Sequence, residues 1–480
     1  MPENGAMTQS ESALTPLADL PGPRGLPLLG NLHRIRFDRL HLILEDWAEQ
    51  HGAIFRIRIG PHRIAVISDR AAIQRILVQR PEGFRRTVML ESVAAEMRLK
   101  GVFAAEGEDW RRQRRIVTAA LNRAKLKDFF PTLAVTVGRL HRRWERAADA
   151  SEPVDLCRDL MRFTVDVTMQ LAFGVDANTL ETPGPVIQRH LDKVFPVLHR
   201  RVNSAFPWWR YIRLPSDRAL DRALVALERE VGDMVHATRE RMAAEPERRD
   251  APTNFLEAIL AAVETEESGF SDAEIFANAG TLLLAGEDTT ANSMAWAVHY
   301  FTTYPEHFER VRREVDAVVA PEPAIASLDQ ANALPFLDAF CNEVMRLKPV
   351  APLHVVEPVA DVTILGCAIP RGTPIMLLVR RMATRDENFG EGSRFDPDRW
   401  LVPPESRTCP HDRRAFVPFG AGPRLCPGRS LALLQIRTVL AMLCRNFQVE
   451  PVRDGGDVDE LLAFTMMPSN LSVRLSRLRR

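Results

Sequence analysis

The stretch "FGAGPRLCPGRS", Phe419 to Ser430, sets one thiol, Cys426, among three glycines, two prolines and two arginines. The helix-forming run "RSLALLQIRTVLAML" follows at once, so Cys426 stands at a helix N-terminus, where the dipole and backbone N–H groups stabilise a thiolate. Glycines let such a backbone approach a flat object closely. Gly420-x-Gly422 does not complete a dinucleotide fingerprint, because the third glycine position is Leu425 and no strand-turn-helix unit with a distal acid surrounds it. The pattern is that of a metal-ligand loop, with a structural turn around an incidental cysteine as the bland alternative.

A second chemical stretch is "LLLAGEDTTANS", which sets Gly286, Glu287, Asp288, Thr289 and Thr290 in the middle of an apolar run. The S-x-x-E box of Ser271 and Glu274 opens that run and Pro305 stops it. About 33 residues of helix span roughly 50 Å, enough to cross a domain. Glycine and buried carboxylates are unfavourable there, so a functional demand must compensate them.

The elements that must hold these residues are mostly helices. "DRALDRALVALEREVGDMVHATRERMAAE" reads as helix, "FRIRIGPHRIAVIS" as a β-hairpin turning at Gly60-Pro61, and "DVTILGCAIP" and "TPIMLLV" as short strands. No repeat divides the chain. The fold class expected is mainly α with small β-sheets, with residues 1–18 a mobile tail and 19–480 one domain.

The 480 residues are 46% apolar and 26% charged, the composition of a globular protein with a large core. With 63 basic and 63 acidic residues, no global field draws the chain to nucleic acid or an anionic membrane. Six scattered cysteines without a C-x-x-C pair suit free thiols in a reducing cytoplasm, and no apolar run reaches signal-peptide or membrane-spanning length.

"FGAGPRLCPG" resembles the cysteine-ligand signature of the cytochrome P-450 haem-thiolate family, with Phe419, Gly420, Gly422, Arg424, Cys426 and Gly428 on its pattern positions. "EVMR" (Glu343 to Arg346) resembles the family's E-x-x-R, "FDPDRW" its aromatic-x-P-x-R segment, "AGEDTT" its oxygen-activating acid-alcohol segment, and "WRRQRR" (Trp110 to Arg115) its propionate-binding helix. E-x-x-R alone is weak, since Glu82/Arg85 and Glu309/Arg312 also satisfy it. The family order of the motifs, over nearly the whole chain, makes it informative.

The resemblance implies a fold in which one haem b lies between the long helix and the cysteine-loop helix. It implies Cys426 as the iron ligand shielded by Phe419, with Gly420 in the cofactor loop. Trp110, Arg114 and Arg424 become propionate partners, and Glu343, Arg346 and Arg399 a buried network that fixes the loop. On the long helix it implies Gly286 as room for dioxygen, Thr289 as its hydrogen-bond partner and Asp288 as part of a proton relay. Two positions depart from the pattern. Gln435 replaces a frequent glutamate, and Val356 stands about where many relatives carry an arginine to the second propionate; His354 is either its substitute or an ordinary pocket or loop histidine.

The activity so implied is monooxygenation of a mainly apolar small molecule by hydroxylation or epoxidation. Electrons would come from NAD(P)H through a separate ferredoxin or flavodoxin, since only about fifty residues follow Cys426. Arg111, Arg112, Arg115, Arg123, Lys125 and Lys127 are candidates for the docking patch on what is expected to be a monomer. Met89 and Val93, Leu284 and Ala285, Ala351 and Leu353, and Phe464 are the substrate-pocket candidates, with no basic residue obvious beside them except His354. A peroxide-driven or isomerising relative and a non-catalytic haem sensor are the rival functions.

Overall fold

The computed structural model describes residues 14–121, 123–182, 194, 196–204, 206–265, 270–403, 411–452 and 457–478. Six helices position the site: α1 (Gly107–Ala120), α2 (Leu156–Phe173), α3 (Pro215–Ala244), α4 (Asp272–Thr303), α5 (Pro335–Leu347) and α6 (Arg429–Asn446). Helix α4 is the longest of these at 32 residues. Its first turn closes as the sequence predicts: Ser271 Oγ accepts from Glu274 N at 3.3 Å, and the Glu274 carboxylate accepts from Ser271 N at 2.9 Å.

Helices α2 and α4 pack closely enough that a Cβ on Gly286 would stand 2.9 Å from Thr168 Oγ1. Thr164 Oγ1 donates to Glu287 O at 3.0 Å in the same seam. The glycine therefore serves helix packing: the direction a side chain would take leads to α2, a correction to the expectation that Gly286 leaves room for dioxygen.

The largest sheet joins β1 (Ile54–Ile59), β2 (His62–Ile67), β3 (Phe84–Arg85), β4 (His354–Pro358) and β5 (Ile375–Leu377) in the order β1-β2-β5-β4-β3. β1 and β2 are the expected hairpin, with Ile59 opposite His62 across Gly60-Pro61 and Gly60 at φ +57°. Val362–Ile364 and Cys367–Ile369 form a second small hairpin. Thr15 and Pro16 pair with Cys367 and Ala368, and Leu17 is buried. The proposed tail of residues 1–18 therefore extends too far: its last residues are held by sheet pairing, and residues 1–13 lie outside the described residues.

Candidate active site

Cys426 emerges from a loop that its own backbone closes. Gly420 and Gly422 adopt φ +75° and +68°, and a Cβ on Gly422 would meet Leu77 O at 2.6 Å, so a side chain there is excluded. Cys426 N donates to Phe419 O at 2.9 Å. Burial pushes the Cys426 thiol up, opposed by backbone hydrogen bonds from Gly428 and Arg429 and by the nearby Arg114 charge. Yet its side chain keeps exposed surface. Ala285, exposed midway along α4, and the partly accessible Thr289 one turn on share a face of that helix.

The cation cluster beside the loop is larger than the sequence motifs indicate. Arg114 Nη2 donates to Leu425 O. Arg424 lies over the Trp110 ring at 4.3 Å, donates to Ala105 O at 2.8 Å and pairs with Glu106. Trp110, Arg114 and Arg424 are thus brought together as expected. Arg80 and Arg86 join them, and neither was anticipated: the segment "VQRPEGFRRT" has no periodicity that marks an inward arginine. Arg86 stacks 3.8 Å from the Phe103 ring, which meets Phe464 at 6.1 Å.

A continuous chain of contacts runs from the loop to the long helix. Val102 N donates to Asn278 Oδ1 on α4 at 2.9 Å, while Arg424 holds Ala105 from the other side. Phe464 leads to Thr465, whose hydroxyl donates to Asp288. Asn292 Nδ2 donates to the other Asp288 oxygen at 2.9 Å. Burial raises the Asp288 pKa, against the lowering effect of these two hydrogen bonds. Asp288 is therefore held in a buried clamp, while Thr289 Oγ1 donates to Ala285 O at 2.8 Å. The acid and the alcohol, adjacent in sequence, occupy different faces of α4.

The Glu343 network is complete. Arg346 donates twice to Glu343, at 2.7 and 2.8 Å, Arg399 Nε donates at 3.0 Å and Trp400 Nε1 at 2.8 Å. Arg346 also donates to Ala383 O and Arg394 O, both at 2.9 Å. Trp400 then packs on Phe416 at 4.6 Å, three residues before Phe419, which carries the network to the cysteine loop. The two incidental E-x-x-R matches behave differently: Glu309 and Arg312 form an ion pair with Glu309 exposed, and Arg85 pairs with Glu91 and Glu357 instead of Glu82.

Several pocket candidates divide by accessibility. Ala285, Ala351, Leu353 and Phe464 keep surface and Met89 is half-buried, whereas Val93 and Leu284 are buried core residues at 0% and 9% exposure. Val93 has no surface to offer a ligand, a correction that follows from its inward position on the helix Val88–Glu96. His354 is not the sole interior basic residue, since Arg80 and Arg86 lie beside it and, after burial, are the causes that push its pKa down to about 3. Arg112 also departs from the expected docking surface. It pairs with Glu274 and lies 5.3 Å from the Phe270 ring, while Arg111 pairs with Glu82 and Glu108. The Arg123 and Lys125 side chains and Cys409 lie outside the described residues.

The fold is mainly α with small sheets, and it brings the Cys426 loop, Trp110, Arg114 and Arg424 together. The chain belongs to the cytochrome P-450 family, whose model matches residues 20–475. It is 25% identical to cytochrome P-450 3A25 of Mus musculus, over 91% of this chain and 86% of that protein. It is 24% identical to cytochrome P-450 2K1 of Oncorhynchus mykiss, over 94% and 90% of the two chains. A bifunctional cytochrome P-450/NADPH–P-450 reductase of Gibberella moniliformis is 25% identical over 90% of this chain and 38% of its own length. As a member of the family the chain is an oxidoreductase monooxygenase that uses haem. Among the described residues no helix is long and apolar enough to cross a membrane.

Proposed function

We propose that this enzyme hydroxylates or epoxidises a mainly apolar small organic molecule, binding haem b and receiving NAD(P)H-derived electrons from a separate ferredoxin or flavodoxin. The observation that carries this reading is the Cys426 loop, set beside a buried guanidinium cluster with N–H groups that find no acceptor among the described residues. These donors suit the two carboxylates of haem.

Haem, held through Cys426, would supply the activation of dioxygen and the transfer of one oxygen atom to the substrate, the other leaving as water with two electrons from the donor and two protons. This chain's residues supply the setting. Backbone N–H groups of Gly428 and Arg429 stabilise the Cys426 thiolate. Trp110, Arg114 and Arg424 hold cofactor carboxylate, and Phe419 covers the loop. Thr289 Oγ1, with its own proton committed to Ala285 O, accepts a hydrogen bond from the interior side and so orients a proton donor there. Asp288, its carboxyl held by Thr465 and Asn292, is the reserve that passes protons toward that position.

Leu353, Ala285 and Phe464 offer an apolar surface to the substrate. Such a surface stabilises bound hydrocarbon by about 25 cal/mol per Å2 removed from water. The free thiols of the described cysteines accord with a reducing cytoplasm, and we take the enzyme to be a monomer there. Spectral titration of ferric protein tests the substrate class. Tight spin-state shifts are expected with terpenoid, steroid or fatty-acyl compounds; shifts only with sugars, nucleotides or polyanions contradict it.

A further inference from the structure

Three arginines, Arg80, Arg86 and Arg424, meet inside the protein around one carboxylate, Glu106. Glu106 accepts from Arg86 N at 3.0 Å and pairs with Arg424. Arg80 is only 4% exposed, and among the described residues its Nε and Nη2 have no hydrogen-bond partner; nor do Arg86 Nε, Arg424 Nε or Arg424 Nη1. The other charged groups nearby satisfy one another. Arg85 pairs with Glu91 and Glu357, and Lys100 with Glu91 at 2.9 Å, so they leave no carboxylate for the cluster. Buried guanidinium groups without acceptors are strongly unfavourable, and these repel one another as well. The cluster is built for an anion from outside the chain.

The sheet shows how Arg86 reaches this place. Phe84 lies opposite Pro358 and Arg85 opposite Glu357 in the β3–β4 pair. Arg86 follows directly on β3 and Val356 precedes Glu357 on β4, so the two positions adjoin the same end of this strand pair. Val356 stands about where many members of the family carry an arginine.

We propose that Arg86, supported by Arg80, holds the second haem carboxylate and replaces, from across the strand pair, the arginine that position 356 lacks. This assignment rests on the haem-thiolate reading above. His354 is then a neutral neighbour of the carboxylate site, because burial and the two arginines keep its ring unprotonated at neutral pH.

Transfer of haem from the holoprotein to excess apomyoglobin tests the assignment. Losing one charged hydrogen-bond partner of a buried carboxylate should make Arg86→Gln release haem about tenfold faster or more. Its reduction potential should also fall, because a cation beside the carboxylates favours the electron-rich state. Moving the charge, with Arg86→Val combined with Val356→Arg, should restore most of the retention, which a purely structural role for Arg86 does not predict. Arg80→Gln should shift release in the same direction and serves if the Arg86 variants fail to load haem. Release and potential unchanged from wild type in both glutamine variants overturn the proposal, as does a relocated pair that loses haem as fast as Arg86→Gln. A wild-type protein without any thiolate-type carbon monoxide band would instead remove the haem-thiolate reading itself.

Discussion

At the residue scale, Asp288 is an acid clamped by Asn292 and Thr465, and the adjacent Thr289 is an alcohol on the accessible face of α4. Thr289→Ala should keep haem and substrate binding but divert reducing equivalents to peroxide; unchanged coupling of electron use to product contradicts the role given to its hydroxyl. The raised pKa of Asp288 has a stability consequence of fixed sign. The folded protein binds this proton more tightly than the unfolded chain, so the contribution is full at acidic pH and is lost as pH rises through the folded pKa. Thermal unfolding of wild type and Asp288→Asn should therefore differ progressively in favour of the variant as pH rises above the ordinary aspartate pKa of about 4. A flat or opposite trend refutes the burial argument. Arg80 and Arg86 escaped the sequence reading because their function depends on a turn and a two-residue strand, neither of which leaves a periodic trace.

At the element scale the legible parts were those with strong local signals. The capping box and Pro305 bound α4, and Gly60-Pro61 set the hairpin register. The pairing of Thr15–Pro16 with Cys367–Ala368 was not legible, because the partner strand lies some 350 residues away and a polar, proline-containing segment gives no alternation. Accessibility failed in a similar way: Val93 looks like its pocket neighbours in sequence, but helix phase turns it into the core. The Glu343 network is where elements are joined, since one carboxylate receives donors from α5 and from Arg399 and Trp400. Glu343→Gln leaves two buried guanidinium groups short of a counter-charge and should destabilise the fold by about 3–5 kcal/mol. Chemical denaturation of the holoprotein measures this, and a loss below about 1 kcal/mol, the range of an ordinary exposed ion pair, would show that the network does not anchor the cysteine loop.

At the scale of the whole molecule, balanced charge leaves electron-donor recognition to local surface, and the arginines of α1 are already partly committed to Glu82, Glu108 and Glu274. The Cys426 loop, the 101–105 segment, the Phe464 turn and α4 are joined by contacts from Arg424 to Ala105, from Val102 to Asn278, from Phe103 to Phe464 and from Thr465 to Asp288. Among the described cysteines we assign iron ligation to Cys426. Cys341 and Cys444 are buried thiols whose pKa values are raised by burial, as suits core residues. The most direct measurement is the absorption spectrum of dithionite-reduced protein under carbon monoxide, for wild type and for Cys426→Ser. The account predicts the strongly red-shifted Soret band of a thiolate adduct in wild type and its loss in Cys426→Ser; a Cys426→Ser protein that retains the band contradicts it.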